Sequence, residues 1–327
     1  MEADRHLSSS SFSTTFNSYN LKGRVIMKQN DINIKYWSEC WKATTSAVQT
    51  ETDEDKVAER WNQRWEKRPK RPEGSGPGEE MMRRSALETI GFLEENGFEI
   101  KGSKILDIGC GPGVLSIPLA RLGAEVTSLD ISSTSLERVA EMAEKESLDV
   151  ETMVCSWWSA DIDELGLRNK YDLVIASRTP SINDAETLEK MMACSKNLCY
   201  YSSFLTVGEN REHMEILKLL SGEEKEAGER MRHRHHQAYT MFFPFMYLYF
   251  SGYRPVVKID QKEERTEVKW EDAADRAIRF FGHGHDLDDG AKDKIRDYYR
   301  DASEDGMYRN SPSGCHGMMI WDVNRRL

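Results

Sequence analysis

Short apolar runs alternate with amphipathic helical patterns through the middle of the chain. Ile105-Leu106-Asp107-Ile108 reads as a brief buried strand. Val114, Leu115, Ile117, Leu119 and Leu122 then recur at helical spacing. Pro118 inside that pattern predicts a short or bent helix, and Gly123 a C-cap. "AEVTSLD", ending at Asp130, is a second strand, and "SSTSLERVAEMAEKESL" a helix with a serine/threonine start. "DVETMVCSWW" supplies a third strand and its loop, and "KYDLVIAS" (170–177) a fourth. "DAETLEKMMACSK" is helical and "NLCYYSSFLT" a fifth strand. Strands alternating with helices predict a parallel, doubly wound α/β sheet.

The regions on either side have a different character. Residues 1–26 are rich in Ser, Thr and Asn without visible period, which predicts a disordered extension. Residues 27–100 predict an N-terminal helical segment. There Val57, Trp61 and Trp65 share one helix face, Pro69 and Pro72 end that helix, and "EEMMRRSALETIGFLEENG" is another amphipathic helix. The tryptophan face either packs on the main domain or walls a pocket. Residues 101–327 form the main domain, with an inserted segment near 222–250 whose Pro244 breaks or starts a helix.

Composition narrows the class. Hydrophobic residues make up 39% and charged residues 31% of 327, as expected of a globular protein. No apolar run reaches spanning length, so no membrane partner is expected. Six cysteines without a C-x-x-C pair point to free thiols in a reducing cytoplasm. A net charge of -11 disfavours nucleic acid as a partner.

The turn after the first strand carries the chemistry. It reads Asp107-Ile108-Gly109-Cys110-Gly111-Pro112-Gly113. Glycines let the backbone turn tightly and let a ligand approach without Cβ clashes. An acid ending the next strand, about twenty residues on, suits ribose hydroxyls. A dinucleotide site favours G-x-G-x-x-G; this chain has G-x-G-x-G after an acid. That pattern resembles motif I of the class I S-adenosylmethionine (SAM) methyltransferases. The resemblance implies residues 27–100 as a small helical cap over the SAM site, and a seven-stranded, mainly parallel sheet whose last two strands form a hairpin-like pair, one of them antiparallel. "RPVVKID" and "GMMIWDV" fit those slots. It also implies SAM as cofactor, with Asp107, Gly109, Cys110, Gly111 and Gly113 lining the loop and Asp130 with Ile131 at the ribose. Trp157 or Trp158 would lie at the adenine, where an indole either stacks or only packs, and Ser177 borders the methyl group.

After the fourth strand, Ser177-Arg178-Thr179-Pro180 precedes Asp184-Ala185-Glu186-Thr187-Leu188-Glu189-Lys190-Met191. This resembles bacterial and archaeal small-molecule methyltransferases. The resemblance implies a small-molecule acceptor in a pocket walled by this loop, by the N-terminal helices with Tyr36, Trp37, Trp41, Trp61 and Trp65, and by segment 231–250. A protein side chain as acceptor, and a catalytically silent SAM-binding protein, remain alternatives. No residue identifies itself as a base. Arg178, Thr179, His233 and His236 are acceptor-side candidates; Arg178 is otherwise a solvated loop charge. His233, His235 and His236 are not spaced as an i, i+4 metal pair. "FGHGHDLDDG" (281–290) reads more simply as a loop between the helices "WEDAADRAIRFF" and "AKDKIRDYYRDA", with Asp288 or Asp289 as N-cap, than as a metal site. No metal is expected.

Overall fold

The computed structural model describes residues 29–47, 49, 51–68, 77–206, 211–221, 240–263, 266–281, 287–310 and 313–327. The expected extension at 1–26 and most of the segment near 222–250, including His233, His235 and His236, lie outside them.

The chain begins with helices α1 (Gln29–Ser46), α2 (Glu54–Glu66) and α3 (Pro77–Glu95). Then follow β1 (Lys104–Ile108), α4 (Ser116–Arg121), β2 (Glu125–Asp130), α5 (Ser133–Glu146) and β3 (Val150–Val154). Next are β4 (Tyr171–Ser177), α6 (Ala185–Cys194), β5 (Ser195–Thr206), α7 (Arg211–Ser221), α8 (Phe242–Phe250) and β6 (Val256–Glu263). The last elements are β7 (Thr266–Lys269), α9 (Trp270–Phe281), α10 (Asp289–Asp301), β8 (Met307–Asn310) and β9 (Ser313–Asp322).

The main sheet has seven strands in the order β3-β2-β1-β4-β5-β9-β6. Its first five strands pair in parallel, and β9 runs antiparallel between β5 and β6. The expected α/β architecture is therefore present. The last two strands do pair antiparallel, but they are not consecutive. β7, α9, α10 and β8 intervene, with β7 and β8 forming a separate two-stranded sheet. The sequence reading anticipated helices α9 and α10 but neither that small sheet nor α7.

Local chemistry explains several boundaries. Pro118 lies inside a helix of six residues, so α4 is short, and Gly123 follows it at φ +91°. Asp184 caps α6 by accepting from the Thr187 amide. Asp288, not Asp289, caps α10 through the Ala291 amide at 2.7 Å. Pro244 falls in the first turn of α8, where its missing N–H costs little.

Period-two alternation splits the core in two. Leu106, Ile108, Val174, Ala176, Cys199, Tyr201 and Met319 face one cluster with α1, α6 and α8. Ile105, Leu173, Ile175, Tyr200, Met318 and Ile320 face the other, with α3 and α4. Tyr200 buries its ring there, and its hydroxyl lies 3.1 Å from that of Thr89 on α3. A smaller cluster joins α7, α9 and α10 through Ile216, Ala274, Ala277, Ile295 and Tyr299.

Candidate functional site

The loop after β1 is held to the tip of β2. The amides of Gly109 and Cys110 both donate to the Leu129 carbonyl, at 2.7 and 3.2 Å. Gly109 and Gly111 have φ of +65° and +55°, which L side chains rarely adopt. A Cβ on Gly109 would meet Thr179 Oγ1 at 2.1 Å, so the loops after β1 and β4 interlock through the missing side chain. One on Gly111 would come within 3.4 Å of the Trp65 ring.

Asp130 ends β2 beneath this loop and is buried. Its Oδ2 accepts from the Gly111 amide and its Oδ1 from the Ser132 amide, both at 2.8 Å. Burial raises its pKa above the usual carboxylate value, while those amide bonds hold it down. Asp107 is buried at the end of β1 and accepts from Ser116 Oγ at 2.7 Å. Burial pushes its pKa up to about 6, against the pull of Ser116 and with a smaller push from the Asp130 charge. Burial also pushes the Cys110 thiol well above its ordinary value. Cys110 is therefore a neutral packing group, with Sγ 3.4 Å from the Gly111 carbonyl.

The loop after β3 splits its two tryptophans. Trp157 is buried, and its indole N–H donates to the Thr187 carbonyl at 3.1 Å, so its ring belongs to the core. Trp158 is half-buried and donates to the Pro180 carbonyl at 3.2 Å. Lys190 Nζ ties this loop together by donating to the carbonyls of Trp157 and Trp158 at 2.8 and 2.9 Å. The Ser156 hydroxyl is buried and has no hydrogen-bond partner among the described residues.

The loop after β4 is built on hydroxyls. Ser177 Oγ lies 2.8 Å from Ser202 Oγ on β5, and Thr179 Oγ1 lies 2.8 Å from Ser181 Oγ. Arg178 between them has φ +51°. Its amide donates to the Ser202 carbonyl at 2.8 Å and its Nη2 to Ser85 Oγ on α3 at 2.8 Å.

The N-terminal helices converge on these same strand ends. Asn62 on α2 accepts through Oδ1 from the Ser132 hydroxyl at 2.8 Å and from the Thr134 amide at 3.3 Å. Glu54 accepts from Ser159 Oγ at 2.7 Å. Arg138 on α5 donates to the carbonyls of Trp65 and Arg68, fastening the end of α2. On α1, Thr45 donates to the Asn183 carbonyl at 2.7 Å. Trp37 and Trp41 pack on α8, with centroids 5.1 Å from Phe242 and 6.2 Å from Phe243.

The structure thus gathers Asp107, Gly109, Cys110, Gly111, Gly113, Asp130, Ile131, Ser177, Arg178 and Thr179 at adjoining strand ends. The sequence reading missed Asn62, Ser116 and Arg138. Ser116 stands nine residues after Asp107, one helical turn past the glycine loop, so a short-range hydroxyl-to-acid pairing was open to inspection. Asn62 and Arg138 act across about 70 positions, and no local pattern carries such a signal. Among the described residues, no group of three His, Cys, Asp or Glu side chains is placed to hold a metal ion. No helix among them is long and apolar enough to cross a membrane.

Comparison with known proteins yields one family model, described as a methyltransferase domain, over residues 99–241. An uncharacterized protein of Haemophilus influenzae is 34% identical over 100 residues, covering 30% of this chain and 36% of its own. Ubiquinone biosynthesis O-methyltransferase of Actinobacillus pleuropneumoniae is 33% identical over 104 residues, covering 32% of this chain and 40% of its own. The chain thus spans well under half the length of these curated relatives. Among solved structures, magnesium protoporphyrin IX methyltransferase from Synechocystis with bound S-adenosylhomocysteine (SAH) superposes with a TM-score of 0.47 and 18% identity. That match covers 65% of this chain and 94% of the other.

Proposed function

We infer that residues 99–241, which match a methyltransferase-domain model, form a class I SAM-dependent methyltransferase domain, and that the whole chain transfers a methyl group from SAM to a small-molecule acceptor. The observation carrying this is the pairing of a left-handed glycine loop with a buried acid. Both oxygens of Asp130 accept from backbone amides flanking the proposed ribose position, and the glycines' missing side chains let Thr179 and Trp65 close on the loop. These residues fit the cofactor: the carboxylate accepts the ribose hydroxyls, and glycine backbone faces the methionine portion.

SAM, when bound, supplies an already activated methyl group. The protein's tasks are therefore alignment and exclusion of water. Gly109 and Gly111 leave room for Thr179 and Trp65 against the glycine loop. Trp65 covers that loop, held down by Arg138. Trp158, rather than the buried Trp157, is the indole left to meet adenine. Arg178 and Thr179 orient the acceptor from the loop after β4, and α1 with α8 walls the acceptor side in aromatic residues. As domains, residues 27–100 act as the cap and 101–327 as the methyltransferase unit. Six unpaired cysteines suit a cytoplasmic place of work. His233 and His236 lie outside the described residues and take no role here.

Isothermal titration with SAH, on the intact chain and on Asp130→Ala, tests the cofactor assignment. Two charge-assisted hydrogen bonds contribute roughly 1.5–3 kcal/mol each, so Asp130→Ala should weaken binding at least tenfold with the fold intact. Unchanged affinity would place the ribose elsewhere. Labelled-methyl transfer into cell extract, divided into small-molecule and protein fractions, tests the acceptor class. Label confined to protein would overturn the small-molecule reading.

A further inference from the structure

A concavity between α3, α4 and α5 borders the glycine loop at Pro112 and Gly113. It arises because α4 spans only 6 residues between α3, with 19, and α5, with 14, so the flanking helices overhang it. The resulting groove has a volume of 920 Å³, near the upper end of the roughly 300–1,000 Å³ usual for ligand clefts. Neither Asp130 nor the loop after β4 borders it. Ala86, Ile90, Val114, Ile117 and Pro118 make its floor apolar.

Its charge runs against that of the chain. Five cations and two carboxylates line the groove, in a protein of net charge -11. Arg83 and Arg121 are paired, with Glu80 at 2.7 Å and Glu146 at 2.6 Å. Among the described residues, Arg68, Arg138 and Lys145 have no ion pair. Arg138 spends its Nη2 on two backbone carbonyls, and its buried Nε has no hydrogen-bond partner among the described residues. A buried donor left unmatched is costly and calls for an acceptor.

We propose that this groove binds a single-chain amphiphile with an anionic head, of the free long-chain carboxylate class. The apolar floor takes the chain, and the unpaired cations at its Arg68–Arg138–Lys145 edge take the head by charge-assisted hydrogen bonds.

The test is calorimetric titration of the full chain with decanoate, decanol and inorganic phosphate. One saturable site for decanoate is expected, at least tenfold tighter than for decanol, and none for phosphate. Leu87→Glu puts a carboxylate at an exposed position of the lining and should weaken decanoate at least tenfold. The double substitution Arg68→Gln with Lys145→Gln, both exposed, should do the same while the thermal midpoint stays put. That second variant keeps the proposal testable if the first fails to fold. The proposal is overturned if decanol binds as tightly as decanoate, if the double substitution leaves decanoate affinity unchanged, or if no saturable site appears. It is equally overturned if the chain sediments with anionic phosphatidylglycerol vesicles yet binds no free decanoate, since the groove would then be a membrane surface. None of these readouts depends on methyl transfer.

Discussion

The loops after β1 and β4 leave neighbouring parallel strands and meet side by side, yet they are made differently. The first turns through Gly109, Gly111 and Gly113, all at positive φ. The second puts Arg178 at φ +51°, where an ordinary residue costs roughly 1–2 kcal/mol. The first loop presents backbone, and the second fills the vacated space with Thr179. In the proposed reaction, the cofactor half of the site is thus a glycine backbone packed by its neighbours and the acceptor half a set of side chains. Strain is tolerated in the half where a side chain is needed.

The largest expected effect attacks the interlock itself. Gly109→Ala adds a methyl 2.1 Å from Thr179 Oγ1 on a left-handed backbone. Overpacking and strain together should cost about 4 kcal/mol in urea unfolding. Gly166 has a similar φ of +63° with nothing within 4 Å of the added atom, so Gly166→Ala should cost only about 1 kcal/mol. Equal costs at the two glycines would mean the loops do not lock together.

Next comes pH. Asp107, under the first loop, has its pKa raised from 3.8 to about 6 by burial. The folded state therefore holds a proton that the unfolded state gives up earlier. This contribution to stability is fully present below about pH 4 and is lost as pH rises through about 6, for roughly 3 kcal/mol in all. Asp107→Asn keeps an acceptor for Ser116 but does not titrate. The stability of the wild type relative to that variant should fall by roughly this amount between pH 4 and 7. A flat difference would show that Asp107 ionises in the fold as easily as outside it.

The two loops also differ in how far they could be read in advance. G-x-G-x-G and Asp130 sit on a strand–turn–helix–strand unit whose periodicities are local, so the fold, the loop and the acid ending β2 were all legible. Arg178 was legible as a candidate but its backbone was not, because a left-handed arginine is fixed by Ser202 and Ser85 from other elements. The assignment of Trp157 or Trp158 to adenine was open, since burial of one indole depends on where Thr187 falls. α7, β7 and β8 escaped notice for a related reason. β7 and β8 have four residues each and are stabilised chiefly by each other and by α9. The tyrosines of α10 engage α7 through Tyr298–Glu215 at 2.7 Å and Tyr299–Glu212. Such an appendage exists only as an assembly, and no single segment announces it.

The smallest effect on stability sharpens the comparison most. Asparagine tolerates the left-handed region better than arginine. Arg178→Asn relieves backbone strain and surrenders the bond to Ser85, which contributes on the order of 1 kcal/mol. The two changes nearly cancel, so stability should stay within about 1 kcal/mol of the wild type. SAH affinity should be unchanged, because the glycine loop keeps its own ties to Leu129 and Asp130. Methyl transfer into the small-molecule fraction should nevertheless drop several-fold at low acceptor concentration and recover as the acceptor is raised. That pattern marks a residue kept strained to hold an acceptor. A stability loss of more than about 2 kcal/mol with transfer unimpaired would instead make Arg178 an anchor between β4 and α3, and the contrast between the two loops would reduce to one of packing.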